Sequence, residues 1–270
     1  MLTLNPYKEW IDIKKLIPPT KHTNLQCDDA RMLAVSNNIY LQVEPNAIYY
    51  VRDFILTNWK RFKYIITYDD IILNSVPNAV KYIYGTAWIK KDDYDNIDVL
   101  VKKFQISTLV GAKDWVPGHK LRQELYYTQK ELSEFPLSIY RSNHGTRLQD
   151  ISNNLLLPND DKLNLFKEFQ FSVVIENSKQ VNYFTEKLVD CLITKTIPIY
   201  WGCPNISEYF DTTGWIIFED INDLKRKLPL LNHSYYSLYT EVINKNYETA
   251  KIYTDFHENL NRALRSLPVY

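Results

Sequence analysis

Residues 171–206 read FSVVIENSKQVNYFTEKLVDCLITKTIPIYWGCPNI, and the order of events in that stretch decides the fold. Phe171 to Ile175 is a short apolar run, the polar residues Glu176, Asn177 and Ser178 follow at once, Tyr183 to Thr194 predicts a helix, and Ile197 to Trp201 is a second apolar run. Strand, crossover helix and strand at these lengths make a βαβ unit, which lays both strands parallel in one sheet. Ligands of such sheets gather at the carboxyl ends of the strands, where the following helices point their N-termini. Glu176 to Ser178 stand at such an end.

Outward from this unit the alternation continues. Upstream, Phe104 to Val110 and Leu137 to Tyr140 predict strands and Leu121 to Leu132 a helix; downstream, Trp215 to Phe218 predicts a short strand, and helical patterning runs from Ile221 to the end. A smaller α/β unit precedes them, with strands expected at Ile39 to Val43, Tyr64 to Tyr68 and Val80 to Tyr84 and a helix at Ala47 to Trp59. The acidic, turn-rich stretch Lys90 to Asn96 separates the two, so the expected domains are 1–103 and 104–270. Terminal helices in such a layout often pack back across the first domain.

Composition excludes several classes of function. Lys plus Arg and Asp plus Glu number 32 each, so no overall field draws the chain to nucleic acid or an anionic membrane. No apolar run approaches the ~20 residues of a membrane span. The start, MLTLNPYKEW, lacks the order of a secretory signal, which predicts a soluble cytoplasmic protein or the soluble part of an anchored one. Cys27, Cys191 and Cys203 have no CxxC spacing and are expected as reduced thiols. With only six glycines the chain carries neither GxGxxG nor GxxxxGK[ST], so any nucleotide must be held by other means.

Helical spacing over 183–194 would project Tyr183, Glu186 and Lys187 from one face of the first turn. The free N–H groups of a helix start and the Lys187 ammonium together suit a diphosphate, and Glu186 suits ribose hydroxyls. The plain alternative is a solvated ion pair beside a core tyrosine.

The pattern ENS, four residues, Y-x-T-E-K, then a helix and (I/V)P(I/V)YWG resembles the donor-binding motif of glycosyltransferase family 10, which contains the α-1,3-fucosyltransferases. That resemblance implies a GT-B architecture, with two Rossmann-like domains facing a cleft. It implies a nucleotide-sugar donor, most simply GDP-fucose, a glycan acceptor, and metal-independent inverting transfer without a cofactor. It assigns Asn177, Tyr183, Glu186 and Lys187 to the donor, with Glu176 supporting. Arg122, in Gly118-His119-Lys120-Leu121-Arg122, looks like the family arginine that reaches the diphosphate, with His119 and Lys120 at the same helix start; the alternative is a surface cation. Glu44, in Leu41 to Asn46, looks like the family's base, or else caps the following helix. The aromatic residue that usually precedes ENS in the family is Ile175 here.

Two acidic pairs complete the candidates. Asp69 and Asp70, after a strand, are assigned to the acceptor side, whereas Asp93-Tyr94-Asp95 matches a DxD metal motif only in outline, and no metal site is expected. Another donor, such as UDP-xylose, would fit the same diphosphate clamp, and a sugar-nucleotide-binding module without turnover would share the motif.

Overall fold

The computed structural model describes residues 2–5, 10–17, 23–29, 38–142 and 155–268. The chain divides into two compact units, one of Met1–Gly85, Gln180–Tyr183 and Asp255–Tyr270, the other of Thr86–Lys179 and Phe184–Thr254.

In the first unit β1 (Leu2–Asn5), β2 (Thr23–Cys27), β3 (Asn38–Leu41), β4 (Tyr64–Thr67) and β5 (Ala79–Lys81) pair in parallel, side by side in chain order. Helices α1 (Arg52–Asn58) and α2 (Asp70–Ser75) follow β3 and β4. Alternate residues of a strand face opposite sides, so Tyr40 and Ile65 pack with Val51, Ile55 and Ile72, while Ile39, Leu41 and Ile66 face the other way. That second face is met by Ile11 and Leu16 of the connection between β1 and β2. The C-terminal helix, Phe256–Arg265, covers it with Phe256, Leu260 and Leu264, as the terminal patterning suggested. The unpredicted strands β1 and β2 lie in polar-rich segments.

The second unit holds β6 (Lys103–Val110), β7 (Leu137–Arg141), β8 (Leu155–Leu156), β9 (Phe169–Ile175), β10 (Ile197–Trp201) and β11 (Ile216–Ile217) in the order β11-β10-β9-β6-β7-β8, every pair parallel. The chain builds outward from β6 through β7 to β8, then returns to the other side of β6 with β9 and continues through β10 to β11. This doubly wound order has its switch point between β6 and β9. Burial on both faces of β9 and β10 explains why they read as continuous apolar runs. The helices are α3 (Lys91–Asp95), α4 (Pro117–Tyr127), α5 (Glu186–Ile193), α6 (Ile221–Lys227), α7 (Tyr235–Leu238) and α8 (Thr240–Ala250).

The boundary suggested between 103 and 104 falls inside the second unit. Ala87 N–H donates to Thr254 O at 3.0 Å, and Trp88 and Ile89 N–H donate to the buried Asp190 carboxylate at 2.9 and 3.2 Å. Lys90 to Asn96 is not a linker, because α3 buries Tyr94, whose carbonyl accepts from the Tyr247 hydroxyl. Asp93 and Asp95 sit exposed on that short helix, Asp95 paired with Lys91, rather than on a metal-binding loop. Cys27, Cys191 and Cys203 are buried, and among the described residues none forms a disulfide. Among the described residues no helix is long and apolar enough to cross a membrane.

Candidate functional site

The switch point brings together the start of α4, which follows β6, and the Glu176-Asn177-Ser178 turn, which follows β9. Gly118 makes the approach possible: its N–H donates to Asn177 O at 3.0 Å, and a Cβ there would lie 1.7 Å from Glu176 O. From the next turn of α4 the Arg122 guanidinium donates to Ile175 O and, at 2.9 Å, to Asn177 Oδ1. The half-buried Arg122 is therefore no loose surface cation; it ties the helix to the end of β9 and fixes the Asn177 amide.

Glu176 lies beneath this surface. It is fully buried, its N–H donates to Trp201 O at 2.9 Å, and its carboxylate accepts the Thr185 N–H at 2.8 Å and the Thr185 hydroxyl at 2.7 Å. Thr185 in turn is the N-cap of α5, accepting from Lys187 N–H. Glu176 thus sets where α5 begins, which gives a physical reason for the fixed interval between ENS and the Thr of Y-x-T-E-K. Gly202 leaves it room, since a Cβ there would come within 2.6 Å of Glu176 Cγ. Burial raises the Glu176 pKa, the neighbouring Glu186 carboxylate adds to the effect, and Lys187 and the Thr185 bonds oppose it.

Helix α5 is buried along its length except at Lys187, whose side chain is 30% exposed. The Lys187 ammonium donates to Glu186 Oε1 at 2.8 Å and Thr185 Oγ1 at 3.1 Å, and stands 3.9 Å from Glu176. Burial draws the Lys187 pKa down, but the Glu186 and Glu176 carboxylates outweigh it and the ammonium stays charged. Burial likewise pushes Glu186 up, and the Lys187 ammonium more than reverses it. The two cations of the junction are thus already held by acceptors, so an incoming anion shares them with Glu186 and Asn177.

Tyr183 lies before the first turn of α5, not on it. The helix expected from Tyr183 starts only at Glu186, because Asn182 turns the chain at a positive φ of 63° and Thr185 caps the helix that begins after it. Tyr183 belongs to the first unit and is buried, its ring centroid 5.4 Å from that of Tyr68. The overlooked signal was Thr185, a favoured N-cap residue immediately before Glu186.

In the first unit Glu44 is half-buried just beyond β3. Its N–H and that of Val43 donate to Asp28 Oδ1 at 2.8 and 2.7 Å, and Val43 O accepts from the Tyr68 hydroxyl at 3.0 Å. Asp28, which sequence reading passed over, holds this loop from a left-handed φ of 61°. Glu44 does not cap a helix: α1 starts at Arg52 with Val51 as its N-cap. Asp69 is fully buried, capping α2 through Ile71 and Ile72 N–H and pairing with Arg52 at 2.7 Å, which commits it to structure. Asp70 is half-buried in the first turn of α2. Among the described residues no three His, Cys, Asp or Glu side chains are grouped to hold a metal ion.

Residues 115–260, more than half of the chain, match the model of the glycosyltransferase family 10 (fucosyltransferase) C-terminal region. The chain belongs to glycosyltransferase family 10. The match takes in Arg122 and the whole of Glu176 to Lys187, and leaves Glu44, Asp69 and Asp70 outside. Relatives in this family of glycosyltransferases include the α-(1,3)-fucosyltransferase FucT of Helicobacter pylori, 25% identical over 88 residues, which are 32% of this chain and 18% of that protein. The α-(1,3)-fucosyltransferase B of Drosophila melanogaster is 29% identical over 143 residues, 50% of this chain and 29% of that protein. The chain therefore spans less than a third of either relative. A crystal structure of an α1,3-fucosyltransferase with GDP-fucose superposes with a TM-score of 0.57 at 16% identity, covering 100% of this chain and 91% of that one. A UDP-forming trehalose-phosphate synthase of Burkholderia vietnamiensis superposes at 0.56 with 9% identity, over 92% and 72% of the two chains. The fold is that of the GT-B glycosyltransferases.

Proposed function

We propose that this family 10 chain transfers fucose from GDP-fucose to a hydroxyl of a glycan, with inversion at the anomeric carbon and without a divalent metal ion. The observation that carries the reading is the Arg122 fork on Ile175 O and Asn177 Oδ1 at the switch point of the second sheet, inside the segment that matches the family. Support for GDP-fucose comes from the α1,3-fucosyltransferase that shares the fold and was crystallised with it.

Arg122 and Lys187 neutralise the diphosphate as it leaves, the task a metal ion performs in other transferases. Glu186 accepts from the ribose hydroxyls, Asn177 and Tyr183 contact the donor, and Glu176 holds the frame. Glu44, carried by the first unit, is assigned the proton: its carboxylate takes it from the acceptor hydroxyl as the new C–O bond forms and the bond to phosphate breaks. The products are the fucosylated glycan and GDP.

The test is GDP release from GDP-fucose with a panel of glycan acceptors in the presence of EDTA, with the anomeric configuration of the product read by NMR. Acceptor-dependent release and an inverted product are expected. Release only from UDP-sugars, retention, or loss of turnover on chelation overturns the reading. Binding of GDP-fucose without release under any acceptor identifies a binding module instead.

A further inference from the structure

His119 occupies the first turn of α4, one turn before Arg122, and is 5% exposed. Its ring lies beside the Asn177 side chain, and its centroid is 5.7 Å from that of Trp115, the planes tilted by 31°. Its Nδ1 is buried and has no hydrogen-bond partner among the described residues. Ser178 Oγ, in the turn on which this helix start rests, is buried and equally without a partner. Leaving a buried polar atom unsatisfied is costly, and two such atoms at one junction are out of keeping with a purely structural role.

Resting on the functional reading above, we propose that His119 is a further donor-binding residue, its Nδ1 hydrogen-bonding a phosphate oxygen of the nucleotide while the ring keeps its place beside the Asn177 side chain. Ser178 Oγ, at the same junction, is placed to serve a second oxygen. The helix start is suited to this: α4 has no side-chain cap, and Arg122, one turn on, holds the Asn177 amide.

The charge around the ring makes the contact conditional on the ligand. Burial lowers the His119 pKa to about 3, and Arg122 on its own helix, Lys113 in the preceding loop and Lys187 on α5 push in the same direction, against the Asn177 bond. The imidazole is therefore neutral in the nucleotide-free protein. A bound diphosphate reverses the local field, so His119 takes up a proton and donates from both nitrogens.

The experiment is calorimetric titration with GDP in two buffers of different ionisation enthalpy, on the wild type, His119→Gln and His119→Asn. Subtracting variant from wild type removes the protonation of GDP itself. The wild type is expected to take up more protons per GDP than either variant and to bind at least about tenfold more tightly. In the wild type, GDP should also shift the ring-nitrogen resonances of one of the five histidines toward the imidazolium position, a readout that needs no variant. Equal affinity and equal proton uptake in all three proteins, or five unmoved imidazoles, overturn the role of His119 alone. Wild type that does not bind GDP overturns the functional reading from which this one starts.

Discussion

The Glu176 carboxylate accepts both the N–H and the hydroxyl of Thr185, at 2.8 and 2.7 Å, so the residue that ends β9 fixes the residue that caps α5. Asn177 and Lys187, the proposed donor-binding groups, stand beside these two residues in the chain, and their separation is set by a buried pair that need not touch substrate. A fixed spacing within a motif can thus record the span between two structural partners.

Truncating Thr185 to Val should therefore act first on stability. It removes the hydroxyl bond to a buried carboxylate and the cap of α5, a cost of about 1.5 to 3 kcal/mol for the charged hydrogen bond alone. Urea unfolding measures it. A midpoint equal to wild type would detach Glu176 from the architecture of α5.

Gly118→Ala places a methyl group 1.7 Å from Glu176 O, backbone that has no flexible end to yield. Overpacking of this kind costs about 1 to 3 kcal/mol or more, and α4 must move away from the ENS turn to relieve it. GDP binding, followed by thermal shift, is expected to be lost before the fold is. Retained binding would mean the junction of α4 and β9 is not the nucleotide site.

Lys187→Ala removes one proposed charged partner of the diphosphate and leaves Glu186 and Glu176 without their ammonium. The loss in kcat/KM corresponds to roughly 1.5 to 3 kcal/mol, about one to two decades. Unchanged kinetics would take Lys187 out of the site.

Glu44→Gln separates binding from chemistry. Its backbone contacts with Asp28 use N–H groups that the substitution retains. GDP affinity should persist while turnover falls by about 10² to 10⁴, the usual worth of a general base. Turnover close to wild type would assign the proton to another group.

Asp190 makes a pH prediction. Burial raises its pKa to about 8, against the hydrogen bonds from Ile89 and Trp88 N–H. A carboxyl whose pKa is higher folded than unfolded binds protons more tightly when folded, so its contribution is fully present near pH 4 and is lost as pH rises toward 8. In Asp190→Asn the amide oxygen still accepts both N–H groups but carries no charge. The stability of wild type minus variant should fall steadily between pH 4 and 8 in chemical denaturation, and a flat difference would contradict the shift.

Residues 171–201 were legible without coordinates because adjacent apolar strands and their crossover helix are local, periodic signals; β9, β10 and the polar turn between β9 and α5 lie where the alternation puts them. Arg122 was legible for the same reason, standing in the helix that follows the first strand of a regular α/β series. The start of α5 was misjudged by three residues, since a cap defined by Glu176 and a left-handed Asn182 leaves the helical periodicity of Tyr183 intact. Asp69 read as a polar residue at a strand end and proved to be a buried cap paired with Arg52.

The amino-acid order by itself determined the parallel α/β character of both units, the family, and the candidate phosphate groups, because each depends on neighbours a few residues apart. Tertiary structure decided that the last helix completes the first sheet, that Gln180–Tyr183 joins that unit, and that Thr86–Lys102 belongs to the second. It also decided that His119 Nδ1 and Ser178 Oγ stand buried at one junction, without partners among the described residues. These outcomes depend on which distant surfaces bury one another and on hydrogen bonds across tens to hundreds of residues, and neither periodicity nor spacing encodes those pairings.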